Sequence, residues 1–236
     1  MTNINSNKIW CVLPAAGSGK RYGSNKKIYE KIGDKTIIEH SANPFLQNEK
    51  INKIIIALKS LDSMWATTSL ANNEKIITAS GGKTRAESVL NCMNAMKKEG
   101  IDKDDWVIVH DAARPCLSEL NLRRFIKYNI DDQVGGIMAS PLNDTLKAAS
   151  SLKIVIQTIP REDLWKAETP QMFRFNILYE AISKCINENK KITDESSAVE
   201  ILGYRPRIFE SIENNIKITY KKDLNLAKRI IEDRNV

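Results

Sequence analysis

Arg21 and Lys27 are the residues of this chain best placed for chemistry, because of what precedes them. They follow the run Leu13-Pro14-Ala15-Ala16-Gly17-Ser18-Gly19-Lys20. Gly and Ala carry little or no side chain, so the backbone there can come close to a ligand. Backbone N–H groups in such a turn can point at anionic oxygens. Arg21 and Lys27 can then neutralise the charge on those oxygens. The combination suits a polyphosphate. Neither of the two commonest phosphate loops is present. The spacing Gly, four residues, Gly-Lys-Ser/Thr is absent, and Tyr22 stands where the dinucleotide fingerprint needs a third glycine. A turn that is simply glycine-rich is the plainer alternative.

A second charged group is His110-Asp111-Ala112-Ala113-Arg114-Pro115. It directly follows the apolar run Trp106-Val107-Ile108-Val109. Charged residues just past the end of a parallel strand are where α/β folds hold ligands. Asp111 is a candidate for contacts to a ribose, a metal or a substrate hydroxyl, and Arg114 for an anion. The simpler reading is an ion pair between the two, with His110 as a polar residue closing the strand.

The elements that must position these groups can be read from periodicity. Ile9 to Leu13, Lys53 to Leu58 and Trp106 to Val109 are continuous apolar runs, the pattern of strands buried on both faces. Shorter strands are expected at Ile76–Ala79, Val134–Ser140, Pro206–Glu210 and Asn215–Thr219. Helices are expected at Thr36–Leu46, bent or ended early by Pro44, and at Asp62–Ala71, Thr84–Lys98, Glu119–Tyr128, Asn176–Ile186 and Tyr220–Asp233. Val89, Leu90, Met93 and Met96 form the inner face of the third. Leu164 to Phe173 leads into the helix at Asn176. Thr193-Asp194-Glu195-Ser196 reads as the start of another helix, ending at Gly203. Asp144–Lys147 and Ile154–Thr158, joined by a turn at Ser150-Ser151, suggest a hairpin arm. Such an arm needs a cover for its apolar face, either a second subunit or its own domain. The expected fold is α/β, a Rossmann-like, mainly parallel twisted sheet with helices on both faces and a projecting β-arm. Residues 1–236 read as a single domain with the arm inserted at about 142–162.

Composition narrows the classes of function. Of 236 residues, 42% are hydrophobic, enough for a sizeable core, and no run is long enough to span a membrane. Met1 to Lys8 is short and polar, without the apolar stretch of a signal peptide, so the cytoplasm is the expected location. Cys11, Cys92, Cys116 and Cys185 include no Cys-x-x-Cys pair, which points to reduced, buried thiols rather than disulfides or zinc. Two histidines argue against a histidine-rich metal site. The net charge is +7, but the cations are scattered and aromatics are 6% of the chain, a poor match to a nucleic-acid-binding surface.

Seven motifs occur in a specific order. They are Pro14-Ala15-Ala16-Gly17-x-Gly19-x-Arg21, Gly81-Gly82-x-x-Arg85-x-x-Ser88-Val89, the His110 to Pro115 stretch, Asp144-Thr145, Thr169-Pro170-Gln171, Thr193-Asp194-Glu195 and Asn215-Ile216-Lys217. Together, from about Trp10 to Ala227, the chain resembles the 2-C-methyl-D-erythritol 4-phosphate cytidylyltransferases. The resemblance implies transfer of CMP from CTP to a polyol phosphate with release of pyrophosphate, dependent on Mg2+. It assigns Arg21 and Lys27 to transition-state stabilisation, and Arg161 and Lys217 to the attacking phosphate. Ala15, Ala16, Gly17, Gly19, Gly82 and Ser88 correspond to the CTP pocket, with Arg85 bracing it. Asp111, Ala112, Arg114, Thr145 and Thr193 correspond to positions near the sugar and the polyol phosphate. The metal is expected to ride on the CTP phosphates, with Asp111 a possible ligand. The arm carrying Thr145 and Arg161 implies a homodimer whose sites are completed in trans. Neither nucleic acid nor a membrane is an implied partner.

The chain departs from the family pattern in three places. Lys26-Lys27-Ile28 replaces the usual Pro-Lys-Gln, so Lys26 competes with Lys27 for the same role. Lys83 and Pro160 stand where acidic residues are common. A ribitol 5-phosphate cytidylyltransferase shares the Thr-Pro-Gln stretch and is the nearest rival. A non-catalytic nucleotide-binding protein is a rival of another class, disfavoured because Arg21, Lys27, Arg161 and Lys217 are all present. If Lys27 is the stabilising cation, Lys27→Ala depresses turnover far more than CTP affinity, and Lys26→Ala changes little. Steady-state kinetics of the two variants check this, and equal losses would contradict the assignment.

Overall fold

Ile9–Pro14 forms the first strand, β1, and its side chains divide between two cores. Ile9, Cys11 and Leu13 enter one, and Trp10 and Val12 the other. A strand buried on both faces needs helices on both, and the rest of the chain supplies them. The computed structural model describes residues 7–24 and 26–234. The polar N-terminal stretch read at Met1 to Lys8 falls outside them as far as Ser6.

After β1 the chain makes a small antiparallel pair, β2 (Lys31–Ile32) with β3 (Lys35–Thr36), and enters helix α1 (Ile37–Leu46). Strands β4 (Ile51–Leu58) and β5 (Ile76–Ser80), helix α2 (Arg85–Lys98), strand β6 (Trp106–Val109), helix α3 (Glu119–Asn129) and strand β7 (Gly135–Pro141) follow. Next come the hairpin β8 (Leu146–Ala149) and β9 (Val155–Ile159), strand β10 (Trp165–Arg174), helices α4 (Phe175–Asn187) and α5 (Glu195–Ile201), strand β11 (Arg207–Glu210) and helix α6 (Lys221–Glu232). The main sheet has seven strands in the order β11-β7-β10-β6-β1-β4-β5, and β10 alone runs against its neighbours. Helices α1 and α3 cover one face through Ile38, Phe45, Leu122 and Phe125. Helices α2, α4 and α5 cover the other through Val89, Met93, Leu178, Ile182 and Val199. In α2, Ser88 and Cys92 are buried with Val89, Met93 and Met96, whereas Leu90 is only partly buried. No helix of the described residues is long and apolar enough to cross a membrane.

Three local expectations are overturned. Pro44 does not shorten α1, which reaches Leu46. A capping box of Thr36 and Glu39 starts the helix, and burial of Ile38, Ala42 and Phe45 offsets one missing hydrogen bond near its end. Asp62–Ala71 is not an α-helix but two short 3-10 turns, Trp65–Thr67 and Ser69–Asn72. The hydroxyls of Thr67 and Thr68 take the carbonyls of Met64 and Trp65, a local competition that disfavours a continuous helix. Leu164 to Phe173 does lead into helix α4, and from Trp165 it is itself part of a ten-residue strand running through the centre of the sheet. A register shift between Ala167 and Gln171 accommodates Pro170, which has no N–H for the ladder. Asn215–Thr219 is not a strand either. It crosses the ends of the sheet, and Ile218 N–H donates to the Ala113 carbonyl at 2.9 Å.

Strands β8 and β9 pair with each other in a separate two-stranded sheet. Leu152, Ile154, Val155 and Ile156 are exposed along the arm. An isolated two-stranded hairpin is marginal in water, so this arm gains from a further surface.

Candidate active site

All parallel strands of the sheet end on the same edge, and the loops leaving β1, β5 and β6 meet there. They enclose a cleft of about 320 Å³. Ala15 still belongs to the sheet, its N–H donating to the Ala57 carbonyl at 2.9 Å. Among the described residues, the N–H groups of Ala16, Gly17, Ser18 and Gly19 have no protein acceptor, which leaves them for a ligand. Gly19 closes this loop at φ 62°, a left-handed conformation open to glycine at little cost. Tyr22 then turns inward. It is 4% exposed and packs with Ile218 and Ala227, which ties the loop to the C-terminal helix α6. A tyrosine where a dinucleotide site has glycine is therefore an anchor.

The opposite wall is the turn into α2. A Cβ on Gly82 would collide with the Cβ of Glu87, so the chain passes here only without a side chain. Gly82 N–H donates to Ser88 Oγ at 3.0 Å, and that hydroxyl donates to the Thr84 carbonyl at 2.9 Å. Small residues on both walls leave room for a flat ring.

The floor holds the charges. Asp111 is buried, and its carboxylate faces Arg85 Nε at 3.2 Å, Lys217 Nζ at 2.7 Å and Arg114 Nε at 3.4 Å. Burial alone would raise its pKa, but the charges of Arg85, Lys217 and Arg114 hold it far below the usual carboxylate range. Arg85 is also gripped by Glu195, at 2.6 and 3.0 Å. Burial would lower the pKa of Arg85, and the carboxylates of Glu195 and Asp111 raise it instead. Lys27 enters the cleft and donates to the Ile218 carbonyl at 2.8 Å. Burial lowers its pKa, and the neighbouring Lys217 lowers it further. The ion pair expected between Asp111 and Arg114 exists, as one edge of this larger cluster. Four cations, Lys27, Arg85, Arg114 and Lys217, stand against two carboxylates, Asp111 and Glu195. The cluster has a surplus of positive charge and suits an anion.

His110 supports this floor from below. It is fully buried. Its Nε2 lies 3.1 Å from the Arg114 carbonyl, which can only accept, so Nε2 carries the hydrogen. Nδ1 then accepts from the Thr169 hydroxyl at 3.0 Å, and Thr169 Oγ1 accepts the Asp111 N–H at 3.0 Å. Burial is the main reason that the His110 pKa falls to about 4. The imidazole is neutral at pH 7 and is not exposed to a ligand.

The cleft gathers Ala15, Ala16, Gly17, Gly19, Lys27, Gly82, Arg85, Ser88, Asp111, Ala112 and Lys217. Five expected site residues lie outside its lining. Arg21 is exposed, close enough for its charge to act on Lys27. Arg114 is buried behind Asp111 and donates to the Asn215 carbonyl at 2.6 Å. Thr193 lines a neighbouring groove beyond Arg85. Thr145 and Arg161 are at the base of the arm, with Arg161 donating to the Asn143 carbonyl. Lys26 is exposed, and Lys27 is the lysine of that pair in the cleft. Glu195 and Gln171 were not singled out as functional from sequence. Both stand in the motifs Thr169-Pro170-Gln171 and Thr193-Asp194-Glu195 without a role of their own, and Asp194 is the helix start expected there.

Small residues, free N–H groups and surplus cations in one cleft give a nucleotide's base and phosphates a place each, which is what a nucleotidyltransferase must hold. The family model described as "IspD: 2-C-methyl-D-erythritol 4-phosphate cytidylyltransferase" matches residues 9–233, and the chain belongs to that family. It is 41% identical over 222 residues to the 2-C-methyl-D-erythritol 4-phosphate cytidylyltransferase of Pseudomonas entomophila, covering 94% of each chain. The enzyme of that name from Salmonella typhimurium is also 41% identical, over 93% of this chain and 92% of its own. Among solved structures, the Francisella tularensis 2-C-methyl-D-erythritol 4-phosphate cytidylyltransferase superposes with a TM-score of 0.83 at 35% identity, over 94% of this chain and 99% of that one.

The buried His110 makes stability depend on pH. Its pKa in the fold is about 4, below the ordinary value near 6.5, so the unfolded chain takes up this proton first. Its contribution is intact above pH 6.5 and is lost as the pH falls toward 4, by about 3 kcal/mol at full extent. Denaturation midpoints measured between pH 7 and 5 are expected to fall in the wild type and to fall less steeply in His110→Asn. Parallel slopes would mean that His110 does not stay neutral in the fold.

Proposed function

We propose that this chain transfers CMP from CTP to the phosphate of 2-C-methyl-D-erythritol 4-phosphate. The products are 4-diphosphocytidyl-2-C-methyl-D-erythritol and pyrophosphate, in the non-mevalonate route to isoprenoid precursors. The observation that carries this reading is the surplus of cations around Asp111 in a cleft walled by small residues. The free N–H groups of the 16–19 loop and the narrow Gly82 wall suit a triphosphate and a pyrimidine ring.

An acceptor phosphate oxygen attacks the α-phosphorus in line. The bond from that phosphorus to its bridging oxygen breaks, and pyrophosphate leaves with the electron pair. Charge accumulates on the α-phosphoryl oxygens and on the leaving group, where Lys27 and Arg21 stabilise it. Lys217 holds the acceptor phosphate. A phosphate monoester has a second pKa of roughly 6, so it is already a nucleophile at neutral pH. No general base is needed, which agrees with the buried, neutral His110. The protein's task is mainly positioning.

Among the described residues no group of three or more His, Cys, Asp or Glu side chains could cage a metal ion. Asp111 is engaged by three cations. These residues fit Mg2+ brought in on the triphosphate, with Asp111 nearby. When bound there, Mg2+ draws charge from the phosphate oxygens. Exposed Leu152, Val155 and Ile156 support an arm that packs on a second copy of the chain, with Thr145 and Arg161 completing that copy's acceptor site. Four buried, free cysteines agree with a reducing cytoplasm.

Purified protein with CTP and Mg2+ is expected to release pyrophosphate with methylerythritol 4-phosphate, not with ribitol 5-phosphate, and to stop when EDTA is added. Release with ribitol 5-phosphate alone would keep the chemistry and overturn the substrate. Mixing Lys27→Ala with Arg161→Ala tests the dimer, because a hybrid has one intact site. Recovery toward about a quarter of the wild-type rate is expected. No recovery would mean that Arg161 does not act in trans.

A further inference from the structure

Arg85 stands in the cleft wall between two carboxylates. Glu195 takes two of its N–H groups, at 2.6 and 3.0 Å, and Asp111 takes the Nε hydrogen at 3.2 Å. The donors of a guanidinium lie in one rigid plane, so a carboxylate that takes two of them fixes the whole group. Glu195 itself is 1% exposed and lies outside the nucleotide cleft. Its neighbours on α5 are locked in turn. Gln171, on the central strand β10, donates through Nε2 to Asp194 and accepts the Ser196 N–H through Oε1, both at 2.9 Å. The glutamate is thus held by the sheet on both sides of its place in the chain.

We propose that Glu195 is a positioning residue for cytidylyl transfer, which makes Arg85 a strut for Asp111 rather than a ligand for phosphate. This rests on the reading of the cleft as the site of CTP and the acceptor phosphate. The cleft collects anions, and a free guanidinium matches a phosphate as well as it matches a carboxylate. Without Glu195, the Arg85 side chain is drawn toward the substrate oxygens. Asp111 then loses its partner on Oδ1, and with it the orientation in which Oδ2 holds Lys217 at 2.7 Å. The effect travels along a chain of direct contacts, Glu195 to Arg85 to Asp111 to Lys217. It ends at the cation assigned to the acceptor phosphate, so the loss falls on the acceptor rather than on CTP.

Glu195→Gln keeps the size of the side chain and removes its charge. The KM for methylerythritol 4-phosphate is expected to rise by about tenfold or more, with CTP affinity changed by less than about threefold. The double variant Glu195→Gln with Arg85→Met is expected to be no worse than Arg85→Met alone, because Glu195 acts through Arg85. Glu195→Asp, which keeps the charge in the buried site, should show the same split on a smaller scale, and it decides the matter if the glutamine variant does not fold. An unchanged acceptor KM, an equal loss for both substrates, or losses that multiply in the double variant would overturn the proposal. Wild-type protein that binds CTP but releases no pyrophosphate with the acceptor would instead overturn the reading of the cleft.

Discussion

The Asp111 carboxylate is the point on which the site depends. A buried carboxylate without partners is very costly, because several kcal/mol of hydration are lost per ion. Here three cations from three parts of the chain meet it: Arg85 from α2, Arg114 from the loop after β6, and Lys217 from the segment before α6. Two of these cations, and Asp111 itself, are in turn fixed elsewhere. Glu195 holds Arg85, the Asn215 carbonyl holds Arg114, and Thr169 through its hydroxyl sets the Asp111 backbone. Such a network adds little net stability over apolar packing. Its use is to define where positive charge stands before a substrate arrives. Preorganised charge of this kind needs no rearrangement when charge develops in the reaction.

The fold makes this possible through its one-sided geometry. Parallel strands deliver consecutive loops to the same edge, so residues after β1, β5 and β6 become neighbours. The antiparallel strand β10 adds a contribution from the middle of its length. At its bulge Thr169 turns to His110, and Gln171 turns to the start of α5. The C-terminal helix closes the arrangement from outside. Its small core with Tyr22 and Ile218 holds the glycine loop next to the segment that carries Lys217, and Lys27 bridges the two through the Ile218 carbonyl.

Much of the fold is legible in the order of residues. The apolar runs at Ile9, Lys53 and Trp106 become the central strands, and the starts of α2 and α5 and, Leu90 apart, the inner face of α2 follow the local pattern. Apart from Asp62–Ala71, where threonine hydroxyls compete locally, what local pattern misses has one cause. Asn215–Thr219 has the composition of a strand, but its backbone is engaged at the site, Ile218 N–H with the Ala113 carbonyl and the Asn215 carbonyl with Arg114, so it crosses the site instead. Trp165–Arg174 is given no element of its own by local pattern, and pairing on both sides makes it a strand with a bulge at its proline. Pro44 lies in a helix whose apolar face outweighs one missing bond. In each case long-range packing overrides a local preference.

By itself, the sequence determined the supply of parts. Small residues before Arg21 and Lys27, charges after an apolar run, and strands alternating with helices all follow from local composition and period, because backbone preferences act within a few residues. The tertiary structure alone decided which charges meet. Arg85 and Asp111 are 26 residues apart and Arg85 and Glu195 are 110 apart. Contacts over such distances depend on strand order and register, which no local pattern encodes. The same physics placed Lys27 in the cleft and left Lys26 in solvent, although the two are adjacent and chemically identical.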